Sequence, residues 1–171
     1  MLGVDYDRVT ALPEELQKNV SRRVDLLFRV EAPAPFVLQV EFQKKNQPTM
    51  ARRMLVYAAL IHDKLHLPVQ QLVIYLGKER VNMPTQVVMP SYTFEYQLID
   101  LKSVSYRAFL DSPLPGLNLF AILGNFGGED AGRVLQTIPN ALVDTSADEL
   151  EKYLIQFEQL SELRNFRTIV P

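Results

Sequence analysis

Apolar and polar positions divide the chain into a strand-like first part and a helical last part. Residues 22–30 and 36–43 are short runs rich in β-branched and aromatic side chains, and they bracket Glu31-Ala32-Pro33-Ala34-Pro35. That arrangement predicts a β-hairpin. After Pro48, apolar residues recur at Met50, Met54, Tyr57, Ala58, Ile61 and Leu65. This is the spacing of one helix face, and it predicts a helix of about four turns. Residues 69–76, stopped by Gly77, read as a buried strand, and residues 86–89 and 94–101 read as two more strands around Pro90 and Tyr92. Beyond Pro113 the pattern turns helical over residues 117–123, 130–138 and 146–166. Ser146 and Glu149 have the spacing of a capping box at the start of the last helix. The order strand, strand, helix, strand predicts an α/β or α+β layer structure with a mixed sheet flanked by helices, followed by a helical C-terminal segment.

In the second strand, Val37, Gln39, Glu41 and Gln43 share one face, while the wholly apolar set Phe36, Leu38, Val40 and Phe42 shares the other. Burial is expected on the apolar side, with Glu41 and Gln43 projecting from a strand whose back is covered. A hairpin symmetric about Pro33 places Asp25 opposite Glu41. Directly opposed residues have Cβ atoms about 4.5–5.5 Å apart, and like charges at that distance destabilise a sheet. A hard divalent cation is the economical compensation, because Mg²⁺ takes one or two carboxylates together with waters and phosphate oxygens. The main-chain carbonyl of Phe42 adds a candidate ligand. Gln43 can orient a water or touch a scissile phosphate, so Asp25, Glu41 and Gln43 are the catalytic candidates and Asp25, Glu41 and Phe42 the metal set. The bland alternative pairs the two acids with arginines such as Arg23 or Arg29.

Lys44, Lys45, Arg52 and Arg53 follow this segment and form a candidate grip on a phosphate backbone, although solvated surface charge explains the lysines equally well. Tyr57, four residues after Arg53, shares its helical face; it is either a DNA contact or plain core. His62 and His66 have the spacing of a helical metal pair, but no Glu follows His62 to complete a zincin motif. The glycine-rich stretch 124–128 lacks the ending of a phosphate-binding loop and reads as a linker.

The succession Val24-Asp25-Leu26-Leu27-Phe28-Arg29-Val30, Val40-Glu41-Phe42-Gln43, Arg53-Met54-Leu55-Val56-Tyr57 and Val73-Ile74-Tyr75-Leu76-Gly77 resembles the Rpn/YhgA-like branch of the PD-(D/E)XK nucleases, also described as recombination-promoting nucleases or transposases. The match covers residues 20–110. The resemblance implies a restriction-endonuclease-like sheet over residues 1–111, followed by the helical segment 112–171. It also implies a Mg²⁺-dependent DNA endonuclease linked to recombination or mobile elements, with Mn²⁺ as the alternative ion. Asp25 and Glu41 match the family's metal ligands, Gln43 stands where the superfamily has lysine, and Arg53 and Tyr57 match the Arg and Tyr of the following helix. The superfamily core usually opens with a helix that can carry another acid. Here residues 10–18, with Glu14 and Glu15, are the only candidates, so the expectation is a domain short of that helix or impaired in activity.

Composition narrows the classes without selecting one. The 171 residues suit one domain with a short addition, and 47% hydrophobic with 22% charged residues is ordinary for a globular chain. The absence of cysteine removes disulfides, thiolate metal sites and thiol nucleophiles. A net charge of −2 argues against coating nucleic acid through bulk positive charge, but not against local contacts. No leader or membrane-length apolar run is present, which gives a cytoplasmic protein without membrane contact as the expectation. Two other functional readings stay open: a catalytically silent relative that binds nucleic acid or protein, and a retaining glycosidase using the close carboxylates. The lack of tryptophan for sugar stacking disfavours the last. DNA is the expected partner, and a homodimer would suit double-strand cleavage.

Overall fold

A strand–helix–strand unit over residues 36–75 organises the first part of the chain. In the computed structural model, which describes residues 9–12, 15–16, 22–31, 33–140, 142, 147–164 and 166, β1 is Val9–Ala11, β2 is Glu15–Leu16, β3 is Arg22–Arg23, β4 is Leu26–Val30 and β5 is Phe36–Gln43. Helix α1 spans Met50–Leu65, and β6 (Val69–Tyr75) returns parallel to β5. Then come β7 (Gln86–Val88), β8 (Thr93–Glu95) and β9 (Gln97–Asp100). The main sheet runs β1-β4-β5-β6-β9, antiparallel from β1 to β5 and parallel between β5 and β6. A helical crossover between parallel neighbours makes this a mixed α/β sheet, as the element order predicts.

The β4–β5 register pairs Leu26 with Val40 and Val30 with Phe36, which is the hairpin symmetric about Pro33. Residues 22–30, however, are not one strand. The chain bends at Asp25, and β3 pairs with β2 while β4 pairs with β5 and β1. Backbone at residues 9–11 and 15–16 is extended, so those described parts of the 10–18 segment are not the helix sought there; Glu14 lies outside the described residues.

Burial is also the reverse of expectation. Val37, Gln39, Glu41 and Gln43 are the deeply buried face of β5, and Phe36, Leu38 and Phe42 on the apolar face are only half-buried. The reason is the docking of α1, whose Met50, Ala51, Met54, Tyr57 and Ile61 join Leu27, Val37, Val73 and Tyr75 in one core. The helix ends as His66 enters the left-handed region (φ 54°), and its N–H closes on His62 O at 2.8 Å before Pro68. Residues 94–101 break at Tyr96, which turns into the core. Its N–H donates to Thr85 O at 3.1 Å and its hydroxyl to Pro84 O at 2.8 Å.

The chain separates into two compact units, residues 1–75 with 81–99 and residues 76–80 with 100–171. The boundary expected at 111 falls within the second of these units. The second unit contains a 3-10 turn at Leu101–Ser103, then α2 (Arg107–Leu110), α3 (Pro115–Asn118), a 3-10 stretch at Leu119–Leu123, α4 (Ala131–Asn140) and α5 (Ala147–Glu162). Residues 101–110 belong here because α2 packs on Leu119–Leu123, with Phe109 against Phe120. The buried Asn118 amide donates to the carbonyls of Phe109, Leu110 and Ser112, each at 2.9 Å, closing the C-terminal end of α2. Ser146, the expected cap of α5, lies outside the described residues. No helix among the described residues is long and apolar enough to cross a membrane.

Gly124 is more than a linker position. Asn125 bridges to Ser105, with its N–H on Val104 O at 2.7 Å, and a Cβ on Gly124 would meet Tyr106 Cα at 2.7 Å. Because the obstructing atoms are backbone, Gly124→Ala is expected to cost about 1–3 kcal/mol in urea unfolding. A second expectation concerns Tyr96. Burial pushes its hydroxyl from the ordinary 10.0 up to about 12. The unfolded chain therefore ionises first, so this contribution is complete below the ordinary value and disappears as pH rises through the native one. Wild-type stability should fall more steeply than that of Tyr96→Phe as pH rises from about 10 to about 12, read by urea unfolding across that range.

Candidate functional site

Asp25 and Glu41 meet where the β4–β5 ladder stops. Extending the register by one pair beyond Leu26 and Val40 sets Asp25 across from Glu41. The Asp25 carboxylate accepts the Phe42 N–H at 2.8 Å, and the Asp25 N–H donates to Glu41 Oε1 at 3.3 Å. Each residue thus uses its side chain to hold the other strand's backbone. Asp25 is exposed, whereas Glu41 has 0% of its surface exposed.

A buried carboxylate needs donors, and Glu41 has them on both oxygens. Its Oε2 takes an ion pair from Arg53 on α1. Its Oε1 accepts the Gln39 amide at 3.2 Å in addition to Asp25 N. Burial pushes the Glu41 carboxyl above its ordinary range; the Arg53 guanidinium pulls against that, and the Asp25 carboxylate adds to it. For Arg53, burial acts to lower the pKa, yet the charge of Glu41 holds it above its ordinary value. The Arg53 guanidinium carbon lies 5.5 Å from the centre of the Tyr57 ring.

The predicted residues thus separate by position. Asp25, Glu41 and Phe42 converge at the strand end, and Gln43, buried, follows on the Glu41 side. Lys44, Lys45 and Arg52 are exposed. Arg53 and Tyr57, considered for DNA contact, turn inward instead: Arg53 is engaged by Glu41, and Tyr57 is core at 5% exposure. Arg29 pairs with Glu31 at 2.5 Å, so the guanidinium that neutralises Glu41 comes from the helix and not from that strand residue. His62 is exposed, and its Nδ1 lies 2.7 Å from Leu67 O.

Sequence reasoning missed Gln71, and it noted Gln39 only as a neighbour on the strand face. Both are buried: Gln71 Nε2 donates to Gln39 Oε1 at 2.6 Å and to Met54 O at 2.8 Å. The signal was two adjacent glutamines inside an apolar strand, of which alternation must turn one inward.

The donor set fits a hard cation of modest protein demand. Among the described residues no group of three or more His, Cys, Asp or Glu side chains forms; what the strand end could offer an ion is two carboxylates and a main-chain oxygen. Phe42 N–H points to the Asp25 side, and in an extended strand the carbonyl of the same residue projects to that side too. Mg²⁺ accepts such a partial set and completes its shell with water.

The ion pair makes a measurable prediction. Arg53→Met would leave a buried charge without its counterion and should cost about 3–5 kcal/mol, whereas Arg53→Met combined with Glu41→Leu should recover most of that loss in urea unfolding. Equal losses in the single and double variants would exclude the pairing. Compared with family models, curated proteins and solved structures, the chain matches none.

Proposed function

We propose that this protein is a Mg²⁺-dependent DNA endonuclease that hydrolyses phosphodiester bonds, in keeping with the resemblance to the Rpn/YhgA-like PD-(D/E)XK nucleases, and acts in the cytoplasm in recombination or mobile-element biology. The observation that carries the reading is the meeting of Asp25, Glu41 and Phe42 at one strand end. Asp25 and Glu41 would hold the ion together with the Phe42 carbonyl. When bound, Mg²⁺ supplies charge neutralisation at the phosphate and acidifies a coordinated water. A carboxylate offers about four lone-pair positions. Glu41 uses three, toward Arg53, Gln39 and Asp25, which leaves one for a ligand bond. Gln43, on the same strand face, is suited to orient the attacking water, while exposed Lys44, Lys45 and Arg52 hold the phosphate backbone. A homodimer would supply two such centres for cleavage of both strands.

A second reading, a catalytically silent relative that binds DNA or protein, draws on one observation. Glu41 is fully buried and already neutralised by Arg53.

Nicking of supercoiled plasmid separates the two. With Mg²⁺ the wild type should convert plasmid to open circles, and EDTA should abolish this. Asp25→Asn, at an exposed position, and Glu41→Ala should each lose at least about 100-fold in rate. Nicking that persists unchanged in both variants, or in EDTA, rejects the assignment. Retarded DNA migration with no nicking by the wild type selects the silent reading.

A further inference from the structure

A main-chain carbonyl can only accept hydrogen bonds, and this fixes the orientation of the two glutamine amides that lead from α1 to Glu41. Met54 O faces the Gln71 side chain at 2.8 Å, so Gln71 must present its NH₂ group there. The same nitrogen lies 2.6 Å from the Gln39 side chain, which must therefore answer with its oxygen. Gln39 is left with its NH₂ toward Glu41 Oε1 at 3.2 Å. An NH₂ group only donates, so Oε1 must accept. The remaining partners of Glu41, Arg53 and the Asp25 N–H, are donors as well.

We propose that Gln71 and Gln39 are positioning residues, a one-way relay that transmits the polarity of the Met54 carbonyl to Glu41 and holds its carboxylate as an acceptor aimed at a cation. The metal part of this proposal rests on the nuclease reading; the relay itself rests on hydrogen-bond polarity. The strand register supports it, since Gln39 and Gln71 are direct partners across β5 and β6. Reversing either amide would set oxygen against oxygen or NH₂ against NH₂ in a site where Gln39 is 0% and Gln71 6% exposed. Each such mismatch leaves a buried group without a partner. Packing alone does not require this arrangement, because apolar side chains of similar volume would fill the same layer without the need for matched polarity. Gln71 makes no hydrogen bond to Glu41 itself and reaches it either through Gln39 or through Met54 and the adjacent Arg53, and the double variant separates these two routes.

The test uses Gln71→Met, Gln39→Met and the double variant, in the full-length protein. Three readouts are compared: the Glu41 side-chain carboxyl ¹³C resonance at one fixed pH, the Mn²⁺ dissociation constant by electron paramagnetic resonance, and urea stability. Gln71→Met should displace the Glu41 resonance and weaken Mn²⁺ binding about 10-fold or more, the range for a group that orients a metal ligand. In the Gln39→Met background, adding Gln71→Met should change neither quantity further, because the relay is already cut. A wild-type resonance and wild-type Mn²⁺ affinity in Gln71→Met, with only stability reduced, overturns the relay. If the wild type binds no Mn²⁺ while the resonance still moves in the Gln39-dependent way, the relay stands and the metal reading fails. Gln71→Asn, which keeps an amide too short to span both partners, gives the same readouts where the methionine variant does not fold.

Discussion

The burial of one ionised carboxylate sets the terms for the rest of the first unit. Removing a charge from water is expensive unless donors replace the water, and Glu41 is fully enclosed. Its donors come from three separate places: the bend before β4, the middle of β5 and the first turns of α1. Satisfying them together fixes the hairpin register and the rotation of the helix about its axis. With Arg53 directed at the sheet, Met50, Met54 and Tyr57 are carried to the same side by helical spacing, and these are residues of the core.

The same constraint explains why β4 begins where it does. The Phe42 N–H would normally find a main-chain carbonyl on the neighbouring strand, but the Asp25 side chain takes that position. A side chain that satisfies the ladder in place of the backbone ends the ladder, and the chain is free to turn toward β2. The acid at this position is therefore structural, and it is also the one proposed for chemistry. Its carboxylate terminates the strand, and the termination leaves it exposed beside Glu41.

Much of this was legible from residue order. The loop centred on Pro33 gave the hairpin's register, and the recurrence of Met50, Met54, Tyr57 and Ile61 gave the helix, because both follow from short-range geometry. The direction of burial was not legible. Gln39, Glu41 and Gln43 alternate with apolar residues, which by pattern alone puts the amides and acid outward; only the hydrogen bonds supplied by Arg53, Gln71 and the helix backbone allow that face to be the inner one. Gly124 was opaque for a similar reason, since its role depends on the Tyr106 backbone, eighteen positions earlier in the chain.

Charge at the strand end links this architecture to the chemistry proposed for it. Asp25 and Glu41 carry two negative units and Arg53 returns one, so the cluster keeps one unit of negative charge at rest. That residue of charge resides mainly on Asp25, the exposed member, where water screens it. A phosphodiester approaching this cluster unaided meets repulsion. A divalent cation, if Asp25 and Glu41 held one, would reverse the sign to one positive unit, which a single phosphodiester would balance. Arg53 would thus serve both conditions without moving: it keeps Glu41 ionised under the helix, and it removes the excess negative charge that two carboxylates and a phosphate would otherwise leave around one ion.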